Sequence, residues 1–316
     1  MIEPTATDRL KTGTATVPYA APPVLAFARK LGIDLAAISG SGARGRILRE
    51  DVERFVRGAL SASVSVRGLP QPLPPPPQPA EIDFAKFGPI ERQPLSRIRR
   101  ISGPALTRNW QTIPHVTNFD VADVTDLEAF RQSLNAGAPE GAAKITTLAF
   151  LIKASAAAFR NFPELNASLS GADIILKRYV HIGFAVDTPG GLVVPVIRDC
   201  DAKGVRELGN EMAELAARAR AGKLAATDMQ GGCFSISSLG GIGGTGFTPI
   251  INAPEVAILG AARSAIQPVW NGTEFKPRLM LPLCLSWDHR VIDGAMAARF
   301  LSHLSGLLGD LRRVGL

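Results

Sequence analysis

The sequence predicts an α/β protein in two folded parts: a large unit on a mixed sheet with two or three covering helices, preceded by a very small helical unit. Three observations predict it. Seven of the ten residues at 70–79 are proline, a density that excludes helix and sheet and favours polyproline II. Strand-like and helix-like stretches alternate through the second part, as in an α/β domain. The segment before the prolines holds two helical patterns around a glycine-rich loop.

Residues 1–18 read as a tail. In the small unit, 19–60, Pro23 can start a helix over 24–31 that Gly32 stops. A second helix over 49–60 places Val52, Phe55 and Val56 on one face. About 40 residues bury little surface, so this unit should be only marginally stable alone. Residues 61–87 form the linker; at about 3.1 Å per residue, 69–79 would make a stiff spacer of roughly 34 Å. A ligand for a proline-binding module is the other reading of that tract.

The large unit spans 88–316. A strand at 115–121 leads into Thr125-Asp126-Leu127-Glu128, which reads as a capping box opening a helix. An alanine-rich apolar helix over 146–162 ends before Pro163. Strands follow at 181–186 and 192–197, then an amphipathic helix with Val205, Leu208, Met212 and Leu215 on one face. Strands at 233–237, 256–262 and 278–287 precede a last helix carrying Ala298, Leu301, Leu304 and Leu308 at helical spacing.

Composition is that of an ordinary globular chain, 46% hydrophobic and 20% charged, which excludes disorder throughout. The net charge of +7 is unevenly placed: residues 1–100 hold 15 basic and 9 acidic side chains, the remainder 20 and 19. The small unit and linker are therefore basic, which suits an acidic protein partner better than nucleic acid. Cys200, Cys233 and Cys284 make no C-x-x-C pair, so neither a disulfide framework nor a metal site is expected, and they read as buried hydrophobes. Without a membrane-length apolar run or a signal-like N-terminus, the expectation is a cytoplasmic protein with no membrane association.

Two glycine patterns, at 40–45 and 241–246, satisfy G-x-G-x-x-G. Neither has the strand before and helix after that a dinucleotide turn needs. Of four histidines, His115, His181 and His303 read as structural. His289 differs in its setting: Ser286-Trp287-Asp288-His289-Arg290-Val291-Ile292-Asp293-Gly294 ends an apolar strand and precedes the last helix. Such a junction presents an imidazole at a sheet edge with Asp293 close behind it.

DHRVIDG resembles the H-x-x-x-D-G active-site motif of the dihydrolipoamide acyltransferases of 2-oxo acid dehydrogenase complexes, and of the related chloramphenicol acetyltransferases. RNWQTIPHVTNFD, VDTPGGLVVPVI, CFSISSLGGIGG and FTPIINAPEVAILG resemble that family's blocks in the family's order, over residues 88–316. Residues 21–60, with GARGRILREDV, resemble its peripheral subunit-binding domain. The resemblance implies a chloramphenicol-acetyltransferase-like catalytic domain that moves an acetyl group between dihydrolipoamide and coenzyme A, as in the pyruvate dehydrogenase type. Succinyl or branched acyl groups are the alternative, and a non-catalytic scaffold is the alternative of another class.

Acyl transfer between thiols needs a base, since a thiol near pKa 8.5 is only partly ionised at neutral pH, and a donor for the oxyanion. The resemblance maps the base to His289 and the donor to Ser237, with Ser235 and Ser238 as neighbours on the same strand. Asp293 is implied as a supporting acid that holds the loop by a salt bridge, and Arg290 as a structural cation. It further implies an active site between subunits of a trimer, and trimers assembled into a hollow core of about 24 subunits. Partners would be the decarboxylase and dihydrolipoamide dehydrogenase components, met by Arg29, Arg44 and Arg46. Two departures stand out. Leu25 occupies a position where relatives often carry arginine, and residues 1–20 hold no lipoyl-domain lysine turn, so the lipoyl group is expected from another chain or a missing domain.

Overall fold

In the computed structural model, residues 19–64 and 82–315 are described. The tail at 1–18 and the proline tract, with its expected spacer, lie outside them. The chain divides into two units, Met1–Ile90 and Glu91–Leu316.

In the first unit, helix α1 (Pro22–Lys30) begins on two prolines whose fixed φ suits a first turn, and ends where Gly32 takes φ 67°. Helix α2 (Arg49–Val64) runs past the expected end at residue 60. Ala28, Leu35, Ile47 and Val52 make the core, and Leu25 packs half-buried against them. Val52 is buried, but Phe55 is exposed, so the expected three-residue face is narrower than its spacing suggests. The glycines at 40–45 close a loop: Gly42 N–H donates to the Arg46 carbonyl, and a Cβ on Gly40 would lie 2.4 Å from the Gly45 oxygen. These glycines serve close backbone approach.

This small core is tied together by Asp51. Its Oδ2 accepts from the backbone N–H of Ser41 at 2.9 Å and of Leu48 at 3.0 Å, which pins the loop to the start of α2. Those two N–H donors hold the carboxyl down at about 2.

The second unit begins with α3 (Arg97–Thr112), which no sequence pattern announced; its cap is Ser96, whose Oγ accepts from Arg99 N–H. Then come β1 (His115–Asp123), α4 (Thr125–Ala136), α5 (Thr147–Ala158), β2 (Ala167–Ser170), β3 (Asp173–Leu176), β4 (Ile182–Phe184), β5 (Val186–Thr188), β6 (Gly191–Val193), β7 (Val196–Ile197), α6 (Val205–Arg220), β8 (Phe234–Ser238), β9 (Ala257–Ala261), β10 (Ala265–Trp270), β11 (Phe275–Asp288) and α7 (Gly294–Gly309). One sheet runs β1-β11-β9-β8-β4-β7, with β10 paired to β11. β4, β8 and β9 are parallel and the other pairs antiparallel, which is the expected mixed sheet.

Side chains alternate across that sheet. Phe234, Ile236, Ala257, Leu259, Leu283, Leu285 and Trp287 join the core with α5 and α7. Ser235, Ser237, Gly260, Cys284 and Ser286 fall on the opposite face. The second glycine pattern, 241–246, is a loop beyond β8 with no helix after it.

Four expectations need correction. Thr125 is the first residue of α4 rather than its cap: its N–H and hydroxyl both donate to Asp123 Oδ1, while Glu128 pairs with Arg131. The alanine-rich helix ends at Ala158, a turn early. The stretches at 181–186 and 192–197 each break in two, so that β5 and β6 form a separate hairpin. In α7 the buried residues include Ala297 and Phe300, and Ala298 is exposed.

Candidate active site

His289 follows the last residue of β11, in a turn held from several sides. Its backbone N–H donates to the Pro114 carbonyl at 3.1 Å. Asp288, 2% exposed, accepts from Arg290 Nε at 2.9 Å and Nη2 at 2.6 Å and from its backbone N–H at 3.0 Å. That pairing keeps the Arg290 guanidinium charged. Trp287, whose indole N–H donates to Asn118 Oδ1 at 2.9 Å, lies 4.8 Å from the imidazole centroid. The ring is exposed, and among the described residues neither of its nitrogens has a hydrogen-bond partner.

Asp293 does not hold the loop by a salt bridge. It caps α7, its Oδ1 accepting from Met296 N–H at 2.7 Å, and the acid that pairs is Asp288. Asp293, four residues after His289, thus fixes where the last helix starts.

Ser237 lies half-buried on β8, and Ser238 beside it is exposed. Among the described residues neither hydroxyl is engaged. Ser235 is committed elsewhere: it is buried, and its hydroxyl donates to Glu255 Oε1 at 3.0 Å. Past Ser238 opens a cavity of about 750 Å³ lined by Gly240, Gly241, Arg220, Arg263 and Thr146.

Within one chain the serine and the histidine stand apart. Ser237 pairs with Gly260 and Gly260 with Cys284, and His289 lies five residues further along β11. At about 3.4 Å per residue that is roughly 17 Å along the strand, with two strand spacings of about 4.8 Å across it. No side-chain rotation closes such a gap.

The other histidines are structural, as expected. His115 Nε2 accepts from Ile251 N–H at 2.9 Å and its Nδ1 donates to the Ile113 carbonyl at 2.8 Å, which fixes one neutral tautomer. His181 Nδ1 accepts from Asp199 N–H, and His303 meets Asn161. Arg29, Arg44 and Arg46 are exposed on the small unit, Arg46 over the Tyr19 ring at 5.3 Å and Arg44 in the left-handed region at φ 57°. The three cysteines are free and buried. Among the described residues no acid, histidine and cysteine cluster could hold a metal ion, and no helix is long and apolar enough to cross a membrane.

Comparison with known proteins decides the family. The acyltransferase catalytic domain of the 2-oxoacid dehydrogenases matches residues 87–316. The chain belongs to the 2-oxoacid dehydrogenase acyltransferase family. The family's E3-binding domain matches residues 18–53, the small helical unit. The dihydrolipoyllysine-residue acetyltransferase component of the pyruvate dehydrogenase complex of Cupriavidus necator is 54% identical over 95% of this chain and 56% of its own length. That of Azotobacter vinelandii is 52% identical over 94% of this chain and 47% of its own. The chain thus spans about half the length of these curated relatives. A crystallographic structure of the Azotobacter vinelandii dihydrolipoamide acetyltransferase is 55% identical, with a TM-score of 0.73, covering 78% of this chain and 100% of that one. The cubic core of a pyruvate dehydrogenase multienzyme complex matches at 54% identity and the same TM-score.

Proposed function

We propose that the protein transfers an acetyl group between the dihydrolipoyl thiol and coenzyme A, as the core acetyltransferase of a cytoplasmic pyruvate dehydrogenase complex. The observation that carries this reading is the His289 turn, where the buried Asp288 carboxylate, paired with the partly exposed Arg290, fixes the backbone while the imidazole is left exposed. A ring nitrogen of His289 takes the proton of the attacking thiol. The thiolate sulfur then bonds to the acetyl carbonyl carbon, whose oxygen gains the negative charge. The Ser237 hydroxyl donates to that oxygen. Collapse breaks the old carbon–sulfur bond, and the departing thiolate recovers the proton from His289.

Because Ser237, near the C-terminal end of β8, and His289, beyond the C-terminal end of the oppositely directed β11, stand at opposite ends of the sheet's strands, a complete site takes Ser237 from one chain and His289 from a second. This supports a trimer, and a larger core built from trimers. Support also comes from the Azotobacter vinelandii structure, a study of a serine, a histidine and an asparagine in that enzyme's mechanism. Those three stand at the same sequence spacing as Ser237, His289 and Asp293 here. Asparagine and aspartate cap helices equally well, so the correspondence favours a supporting role for Asp293 over that of a second base.

The chemistry needs no metal. The lipoyl group comes from a domain or chain other than the described residues, and Arg29, Arg44 and Arg46 offer the small unit's cationic surface to a decarboxylase or dihydrolipoamide dehydrogenase component. The test is acetyl transfer from acetyl-coenzyme A to free dihydrolipoamide, with succinyl- and isobutyryl-coenzyme A compared. Transfer that is fastest with acetyl and abolished in His289→Ala supports the reading. An inactive unaltered chain that still assembles would favour a scaffold.

A further inference from the structure

Glu255 is a carboxyl group with no place in the mechanism above, 5% exposed in the loop that enters β9. Its Oε1 accepts from the Ser235 hydroxyl, while Oε2 is buried and, among the described residues, has no partner. We propose that Glu255 is a positioning residue of the acyl-transfer site, clamping Ser235 and with it the stretch of β8 that carries Ser237. The proposal rests on the acyltransferase reading.

The connections run to both half-sites of the chain. Ser235 precedes Ser237 by two residues and shares its face of the sheet. On the other side, the Val256 carbonyl, next in sequence to Glu255, accepts from Asp288 N–H at 2.9 Å and so holds the start of the His289 turn. The loop is anchored in turn by Ser168, whose hydroxyl donates to the Pro254 carbonyl at 2.6 Å. Gly232 makes room for the carboxyl, since a Cβ there would come within 2.8 Å of Oε1.

The same surroundings determine the form in which Glu255 works. Three elements bring titratable groups towards it or its loop: Lys177 after β3, Cys233 before β8, and Asp288 at the end of β11 with Arg290 beyond it. Lys177 directs its ammonium to the Ala167 carbonyl at 3.3 Å and, forming no close ion pair among the described residues, acts on Glu255 through its charge alone. Cys233 stays a thiol, its Sγ towards the Tyr179 carbonyl. Asp288 spends its charge on Arg290. Burial outweighs both the Ser235 hydroxyl donor and the charge of Lys177, so the carboxyl of Glu255 is pushed up to about 8 and is mostly protonated at neutral pH.

The experiment measures kcat and KM for acetyl transfer in Glu255→Ala, Glu255→Gln and Ser235→Ala on the assembled protein, between pH 6 and 9.5. The clamp predicts that Glu255→Ala lowers kcat about tenfold or more with KM within about twofold. Glu255→Gln, an uncharged mimic, recovers most of that loss. The unaltered protein loses kcat above about pH 8, where the acid ionises, and the glutamine variant lacks that alkaline limb. Should Glu255→Ala fail to assemble, Ser235→Ala removes the same hydrogen bond without disturbing the loop, and a fall in its kcat supports the clamp. Unaltered kcat in both truncations, a glutamine variant as impaired as the alanine one, or an alkaline limb that persists in Glu255→Gln would overturn it. Absence of transfer by the unaltered protein would overturn the acyltransferase reading instead.

Discussion

The two ends of the main sheet's central strands are built on opposite principles. At the end where β11 finishes, the groups around the imidazole are engaged: Asp288 with Arg290, Trp287 with Asn118, His289 N–H with Pro114, Asp293 with the start of α7. At the end where β8 finishes, Ser237 and Ser238 lead into a glycine loop and, among the described residues, their hydroxyls have no partners. On the proposed mechanism one end carries the base, held rigidly, and the other the oxyanion donor, so that neither is a site alone.

Four changes break or sharpen that contrast. His289→Ala removes the base and is expected to lower acetyl transfer by about 10²-fold or more with the assembly intact, read by steady-state rates and native mass. Ser237→Ala is expected to cost about 10² to 10³ in kcat, as loss of one oxyanion donor does; Ser238→Ala at near-normal rate would fix which hydroxyl acts. Asp288→Asn leaves Arg290 without its buried partner. Because Arg290 is 45% exposed, the stability lost should be about 1 to 3 kcal/mol, measured by denaturation, and transfer should slow as the turn loosens.

The smallest and most diagnostic effects are in pH. Two buried carboxyls have opposite fates. Asp51, with two backbone N–H donors, is held at about 2, below the unfolded 3.8. Its contribution is present above the unfolded value and is lost as pH falls through about 2, so the Ser41 and Leu48 amide signals should disperse in acid before the large unit unfolds. Glu255 is raised above its unfolded 4.5 to about 8. Its contribution is full below 4.5 and lost as pH rises towards 8, and denaturation of Glu255→Gln should show a flatter stability profile across that window.

Much of this was legible in sequence. The division into two units, the mixed sheet and the histidine between a strand and a helix follow from local patterns that tertiary structure did not override. Misreadings came where side chains serve distant partners. Thr125 looked like a cap, but Asp123 competes for its hydrogen bonds and Leu279 N–H donates to its hydroxyl. Pro195 and the short strands around it hid a hairpin. α3 was missed because its apolar residues Ile101, Leu106 and Trp110 are exposed and give no one-sided stripe towards this chain's core. Glu255 was overlooked, although a lone acid inside INAPEVAILG, an otherwise apolar run, was a signal of a buried titratable group.

On the proposed mechanism the acyl-transfer site exists only between chains. Its most direct test is to dissociate and co-assemble His289→Ala with Ser237→Ala, each inactive alone, and measure acetyl transfer. Random mixing gives a site with an intact histidine half the time and an intact serine half the time, so about a quarter of the unaltered rate should return. No recovery above the separate variants, from particles shown by mass to contain both, would contradict a shared site.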